Sequence, residues 1–157
     1  TTGGRTEQFT MKERPDLPPA CFVQMGDFLR YALDEAVAQG LRQVVIGGMV
    51  GKLTKIAQGA TITHSNRAEV DTQLLAALAA SLGAPPADCA AIAAAETARF
   101  AAERMEALGL SAPFHTALAR AVVRTLMAPA RYGGQFQLHV LVCDFDGRKV
   151  AEAFSHD

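Results

Sequence analysis

Leu41-Arg42-Gln43-Val44-Val45-Ile46-Gly47-Gly48-Met49-Val50-Gly51-Lys52-Leu53-Thr54-Lys55-Ile56-Ala57-Gln58-Gly59 runs on into Ala60-Thr61-Ile62-Thr63-His64-Ser65-Asn66-Arg67. Leu41, Val44, Val45 and Ile46 make the first six residues a short, largely apolar run rich in β-branched side chains, which predicts a buried strand over 41–46. Gly47, Gly48 and Gly51 then let the backbone turn tightly before helical spacing resumes over 52–58. A strand-to-helix turn of this kind directs successive N–H groups at an anion, and Lys52 and Lys55 add two full charges nearby. Beyond Gly59, the residues Thr61, Thr63, His64, Ser65, Asn66 and Arg67 bring many hydrogen-bonding groups together, a composition suited to lining a cleft.

Upstream, Phe28, Leu29, Ala32, Leu33, Ala36 and Val37 share a helical face, with Asp27 placed to cap that helix and Gly40 to stop it. Residues 20–24 read as a short strand, and the Pro-rich run 14–19 as a connector. Thr1-Thr2-Gly3-Gly4 reads as a small-residue turn before a helix over 5–12. It is a second candidate anion loop, provided a strand precedes Thr1. Strand, helix, strand, loop, helix is the order of a Rossmann-like parallel sheet with crossover helices, in which ligands lie beyond the carboxyl ends of the strands. The glycine spacing does not match the dinucleotide fingerprint, so no nicotinamide cofactor is indicated. It also departs from the P-loop, where Leu53 would have to be a metal-binding hydroxyl. By residue pattern alone, a tight turn with solvated lysines is the stronger reading of the Gly-Lys segment.

Downstream, Asn66 and Glu69 have the spacing of a capping box for a helix reaching Leu82. An alanine-rich helical segment follows over 87–108 with a break near Glu96, and then a helix carrying Phe114, Leu118, Val122 and Leu126. Residues 135–143 alternate as a strand, Asp146-Gly147 is a tight-turn pair, and 149–154 returns as the antiparallel partner in a C-terminal β-hairpin. No repeat or linker divides the chain, so 1–157 is expected to be a single α/β domain.

Fifteen basic against sixteen acidic residues leave a formal net charge of −1, too little to favour nucleic acid or an anionic membrane. With 6% aromatic residues and no Trp, a base-stacking platform is hard to build. Cys21, Cys89 and Cys143 are scattered, which excludes a disulfide framework, suggests inert thiols and fits a reducing cytoplasm. The histidines stand singly, so no metal site is expected; His64 is read as a hydrogen-bonding or acid–base group, His115 and His139 as structural, and His156 as part of the tail. Arg120 and Arg124 share a helix face and are read as solvated. No run is apolar and long enough to span a bilayer.

Gly-Lys-Leu-Thr-Lys-Ile-Ala-Gln-Gly at 51–59 followed by Thr-His-Ser at 63–65, together with Thr1-Thr2-Gly3-Gly4-Arg5-Thr6-Glu7 and Val23-Gln24-Met25-Gly26-Asp27-Phe28, resembles the cobalt-precorrin-5B C1-methyltransferase family, CbiD, over most of the chain. Family members are considerably longer, so the chain resembles their C-terminal part. The resemblance turns the preference for the Gly-Lys segment from a plain turn to a binding loop. It implies a cytoplasmic methyltransferase of cobalamin biosynthesis, in porphyrin and corrin metabolism. S-adenosylmethionine would be the methyl donor and a cobalt-containing tetrapyrrole the substrate, with cobalt belonging to the substrate. Thr2, Gly3, Gly4, Gly47, Gly48 and Gly51 would then hold the cofactor. Lys52, Lys55, Thr63, His64, Ser65 and Arg67 would hold the carboxylate-rich substrate. The N-terminal part of the same protein would be a partner. Catalytic base, oligomeric state and the activity of this part alone stay open. Two alternatives remain: a non-enzymatic module that binds an anion or a partner, and a nucleotide-binding Rossmann-like enzyme.

Overall fold

The computed structural model describes residues 1–64 and 69–156. Among these, seven α-helices and three strands follow in the order α1 Gly4–Glu13, α2 Leu29–Ala38, β1 Gln43–Gly48, α3 Val50–Ala57, α4 Thr72–Ser81, α5 Pro86–Ala93, α6 Ala98–Ala107, α7 Ser111–Leu126, β2 Gln137–Cys143 and β3 Lys149–Phe154. The sheet has the order β1-β2-β3. β1 and β2 are parallel, from Gln43 opposite Gln137 to Gly48 opposite Val142, and their crossover is the helical stretch α3–α7. β2 and β3 are antiparallel, joined through the turn at Asp146-Gly147, where Gly147 takes φ 78° and the Asp144 carboxylate accepts from the Asp146 and Arg148 amides. The α/β class and the terminal hairpin therefore stand, whereas the expected parallel sheet is a mixed one with one pair of each kind.

Strand alternation sends Ile46, Leu138, Val140, Val142 and Ala153 into the main core, against Leu53 and Ile56 of α3 and Phe114, Leu118 and Val122 of α7. The last five are 0% exposed, and each such burial stabilises by about 1.5–3 kcal/mol. The opposite face packs Leu141 and Cys143 under Phe9 of α1. The sheet is thus covered on one face by α3 and α7 and on the other by α1.

Several boundaries moved for local reasons. Residues 20–24 form no strand: a 3₁₀ turn occupies Pro19–Cys21, after Pro15 and Pro18, and these prolines leave few amides for a ladder. β1 begins at Gln43 and runs through both glycines to Gly48, two residues later than expected. α4 begins at Thr72, capped by Asp71, whose carboxylate accepts from the Leu74 amide at 3.0 Å. Asn66 of the expected capping box lies outside the described residues. The break near Glu96 is present, with the Thr97 hydroxyl accepting from the Phe100 amide to start α6. No helix of the described residues is long and apolar enough to cross a membrane.

Two histidines are held by hydrogen bonds and ring contacts, His115 within α7 and His139 between β2 and β3. Nδ1 of His115 lies 2.8 Å from the Ser111 carbonyl and so carries the proton, while His139 stacks on Phe154 at 4.0 Å and meets Glu152 at 2.9 Å. Burial pushes both below the ordinary histidine value of 6.5, against the opposing pull of the Ser111 carbonyl and of Glu152. The unfolded chain therefore binds more protons in acid. Stability is fully present above the ordinary histidine range and falls as pH drops through it toward the lowered folded values. Denaturant midpoints measured from pH 8 down to about pH 5 should show this fall, and a His115→Asn, His139→Asn variant should show a shallower one.

Candidate functional site

Two turns that open helices, one before α1 and one between β1 and α3, come together at the carboxyl end of β1. The Thr2 amide donates to the Gly47 carbonyl at 3.2 Å, so residues 2–4, leading into α1, lie directly beside residues 47–51, leading into α3. Thr2, Gly3, Gly4, Gly47, Gly48 and Gly51, scattered over fifty residues of sequence, are thereby neighbours. The contact is held from below by a ladder of hydroxyls. Thr2 Oγ1 meets Thr6 Oγ1 at 3.3 Å, Thr6 donates to the Gly3 carbonyl at 2.8 Å, and Thr10 donates to the Thr6 carbonyl at 2.6 Å.

Gly47 and Gly48 serve close packing at the strand end. Both lie in extended backbone of β1, and neither has positive φ. A Cβ on Gly47 would stand 2.0 Å from Thr10 Oγ1, and one on Gly48 would stand 2.7 Å from Leu53 Cδ2. Their small size lets α1 and α3 sit against opposite faces of the same strand end. Gly3 and Gly51 differ: a Cβ there would meet nothing within 4 Å, so they face open space above the turns. The first helical bonds are Glu7 to Gly3 and Leu53 to Met49. The amides of Gly4, Arg5 and Thr6, and those of Val50, Gly51 and Lys52, therefore belong to first turns that direct N–H groups and partial positive charge outward.

The expected substrate ligands divide. Lys52 Nζ is ion-paired with Asp27, whose carboxylate also accepts from Thr63 Oγ1 at 3.1 Å, and the Thr63 amide donates to the Asp27 carbonyl at 3.0 Å. Lys55 is buried and donates to the Thr63 carbonyl at 3.1 Å. Burial, and then the Lys55 charge, lower the pKa of Lys52. Lys52, Lys55 and Thr63 thus brace the loop 59–63 against Asp27 and the start of α2, and Lys55 and Thr63 are too enclosed to meet a large ligand. His64 is exposed beside them. Ser65 and Arg67 lie outside the described residues.

Asp27 was read as the α2 cap, but Phe28 holds that position with no side-chain cap bond, and Asp27 instead joins α2 to α3. A hollow of about 220 Å³ on the other side of Val50, at the carboxyl end of β2, was also not anticipated. His115, Asp144, Arg148 and Arg99 are among its lining residues, with the Arg99 guanidinium 4.7 Å above the Phe145 ring. Among the described residues, no group of three or more His, Cys, Asp and Glu could hold a metal ion.

Comparison with known proteins agrees with the resemblance noted from the sequence. Over residues 62–154, more than half of the chain, it matches the model described as "CbiD, C-terminal domain". It is 81% identical, over 99% of its length, to a cobalt-precorrin-5B C(1)-methyltransferase of Paracidovorax citrulli. To proteins of the same name it is 62% identical over its full length in Methylococcus capsulatus and 43% over 96% in Salinispora tropica. These alignments span 41%, 41% and 39% of the relatives, so the chain corresponds to about two fifths of such a protein. No solved structure matches it. By the domain it carries over 62–154, the chain belongs to the CbiD family.

Proposed function

We propose that this chain is the C-terminal domain of an enzyme that methylates C1 of cobalt-precorrin-5B in anaerobic cobalamin biosynthesis, with S-adenosylmethionine as donor. The observation that carries the reading is the Thr2–Gly47 bond, which sets two helix-opening turns side by side at the carboxyl end of a parallel strand pair. In a doubly wound sheet that is the place for a ligand. The first-turn amides of α1 and α3, beside the open faces of Gly3 and Gly51, fit the anionic end of a small molecule such as the amino-acid carboxylate of the donor. When bound, the sulfonium cofactor supplies an electrophilic methyl group.

What the chain itself contributes is orientation. The Asp27–Lys52 pair fixes the loop that ends at His64 next to the α3 turn, so His64 is suited to the carboxylates of a tetrapyrrole, a role proposed also for Ser65 and Arg67, which follow it in the sequence. Methyl transfer is accelerated chiefly by holding the acceptor carbon in line with the methyl group and excluding water, which needs no nucleophilic side chain. The donor, the acceptor and the activity belong to the full-length protein. There the N-terminal part would complete the site.

Gly51→Asp tests the reading. A Cβ at position 51 meets nothing within 4 Å, and a carboxylate in the first turn of α3 favours the helix dipole, so stability should hold or rise. The same carboxylate would repel an anionic ligand at those amides. Calorimetry of the full-length enzyme with S-adenosylhomocysteine should show at least about tenfold weaker binding in the variant, a loss of about 1.4 kcal/mol. Unchanged affinity in a variant of unchanged stability would place the cofactor elsewhere.

A further inference from the structure

We propose that in the full-length protein the outer edge of β1 is filled by a parallel strand formed by the residues immediately preceding Thr1. The proposal does not depend on the methyl-transfer reading. In a strand, successive residues send their backbone groups to opposite sides, and Thr1 and Thr2 do this. The Thr1 amino group donates to the Val23 carbonyl at 2.7 Å and the Thr1 carbonyl accepts from the Met25 amide at 3.0 Å, whereas the Thr2 amide donates the other way, to Gly47. The bonds of Thr1 have the slanted pattern of a parallel pair. Thr1 and Thr2 therefore occupy a strand position between residues 23–25 and β1.

The slot beside them is ready to be extended. Because the Arg42 carbonyl accepts from Gln137 of β2, the inward groups of β1 are those of residues 42, 44, 46 and 48, and Gln43, Val45 and Gly47 face outward. Among the described residues, the only backbone bond to that outer edge from outside the sheet is the one from Thr2. Open edges of this kind are normally covered, since they template unwanted pairing. The occupant is identified by continuity: the chain carries a domain described as C-terminal, and it spans only about two fifths of the relatives it matches.

The register follows from the bond already made. With Thr1 opposite Gly47, the residue two positions before Thr1 stands opposite Val45. The Gly47 amide then donates to the carbonyl of the residue immediately before Thr1, and the Val45 amide to that of the residue three before it. A strand of about five residues covers the edge down to Gln43. The resulting order, 23–25, new strand, β1, β2, β3, is a doubly wound sheet whose order reverses between the new strand and β1. The paired turns at Gly3 and Gly47–Gly51 stand at that switch point.

The test is amide hydrogen exchange on the full-length protein. Val45 and Gly47, whose amides face the edge, should exchange as slowly as Val44 and Ile46, whose amides face β2. Rapid exchange at Val45 and Gly47 beside slow exchange at Val44 and Ile46 would overturn the proposal. The occupant is checked by oxidising a Val45→Cys variant that carries a second cysteine two positions before Thr1, in a Cys21→Ser background because Cys21 is exposed. A disulfide within one molecule is expected. Disulfide-linked dimers in its place would assign the edge to a second copy and refute the assignment to the preceding residues.

Discussion

Replacing Gly47 by alanine is expected to lower stability by about 2–3 kcal/mol, the cost of forcing an extra methyl group into a packed core. The added carbon would stand 2.0 Å from Thr10 Oγ1 and 3.5 Å from the Thr6 carbonyl, and a threonine already bonded to the helix backbone at 2.6 Å cannot swing away freely. Relief would require moving α1 off the sheet, which would expose Phe9 and break the Thr2–Gly47 contact at the candidate site. The damage is specific in a way that can be read. With Thr10→Ala in the same chain the nearest obstacle becomes its Cβ, 3.3 Å away, so the double variant should recover more than half of the loss. Denaturant unfolding of the two single variants and the double variant checks this. Simple additivity would mean that α1 does not sit where the account requires it.

Asp27→Ala is expected to cost about 2 kcal/mol. The Asp27 carboxylate holds Lys52 and Thr63 Oγ1, and its removal leaves Lys52 beside buried Lys55 with no anion between them. Removing one partner from a fully buried ion pair costs about 3–5 kcal/mol, and exposed pairs are worth about 1 kcal/mol or less. With side-chain exposures of 32% for Lys52 and 23% for Asp27, this pair lies between the two limits. Asp27→Asn, which keeps an acceptor for Thr63 but loses the charge, should cost less. Lys52→Met in the Asp27→Ala background should cost little beyond the first change, and that shortfall measures the coupling. If Asp27→Ala were silent in unfolding experiments, Lys52 would be free to serve a ligand directly, contrary to the bracing role assigned here.

The legible part of this fold is the part in which local pattern and burial coincide. Phe114, Leu118, Val122 and Leu126 fall at fourfold spacing and all end in the core, and the hairpin around Asp146-Gly147 follows from turn chemistry alone. The misreadings arise where tertiary contact decides the matter. Gly47-Gly48 looked like a loop because glycine weakens a strand, yet here it extends β1, since Thr10 and Leu53 leave no room for side chains. Residues 20–24 were expected as a short strand, but the prolines before them start a 3₁₀ turn over Pro19–Cys21, and only the stretch beside Thr1 is held in extended form, by the Val23 carbonyl and the Met25 amide. At the site, the grouping of the two glycine turns was accessible from the rule for doubly wound sheets. The capture of Lys52 by Asp27 was not, because a residue twenty-five positions away carries no local signal.

The central claim is that the turns at Gly3–Gly4 and Gly47–Gly51 form one ligand site. A crystal structure of the full-length enzyme with S-adenosylhomocysteine tests it most directly. The account predicts ligand oxygens within hydrogen-bond distance of first-turn amides of α1 and α3, with the Thr2–Gly47 bond intact beneath them. A ligand held entirely by residues preceding Thr1, with both turns facing solvent, would contradict it.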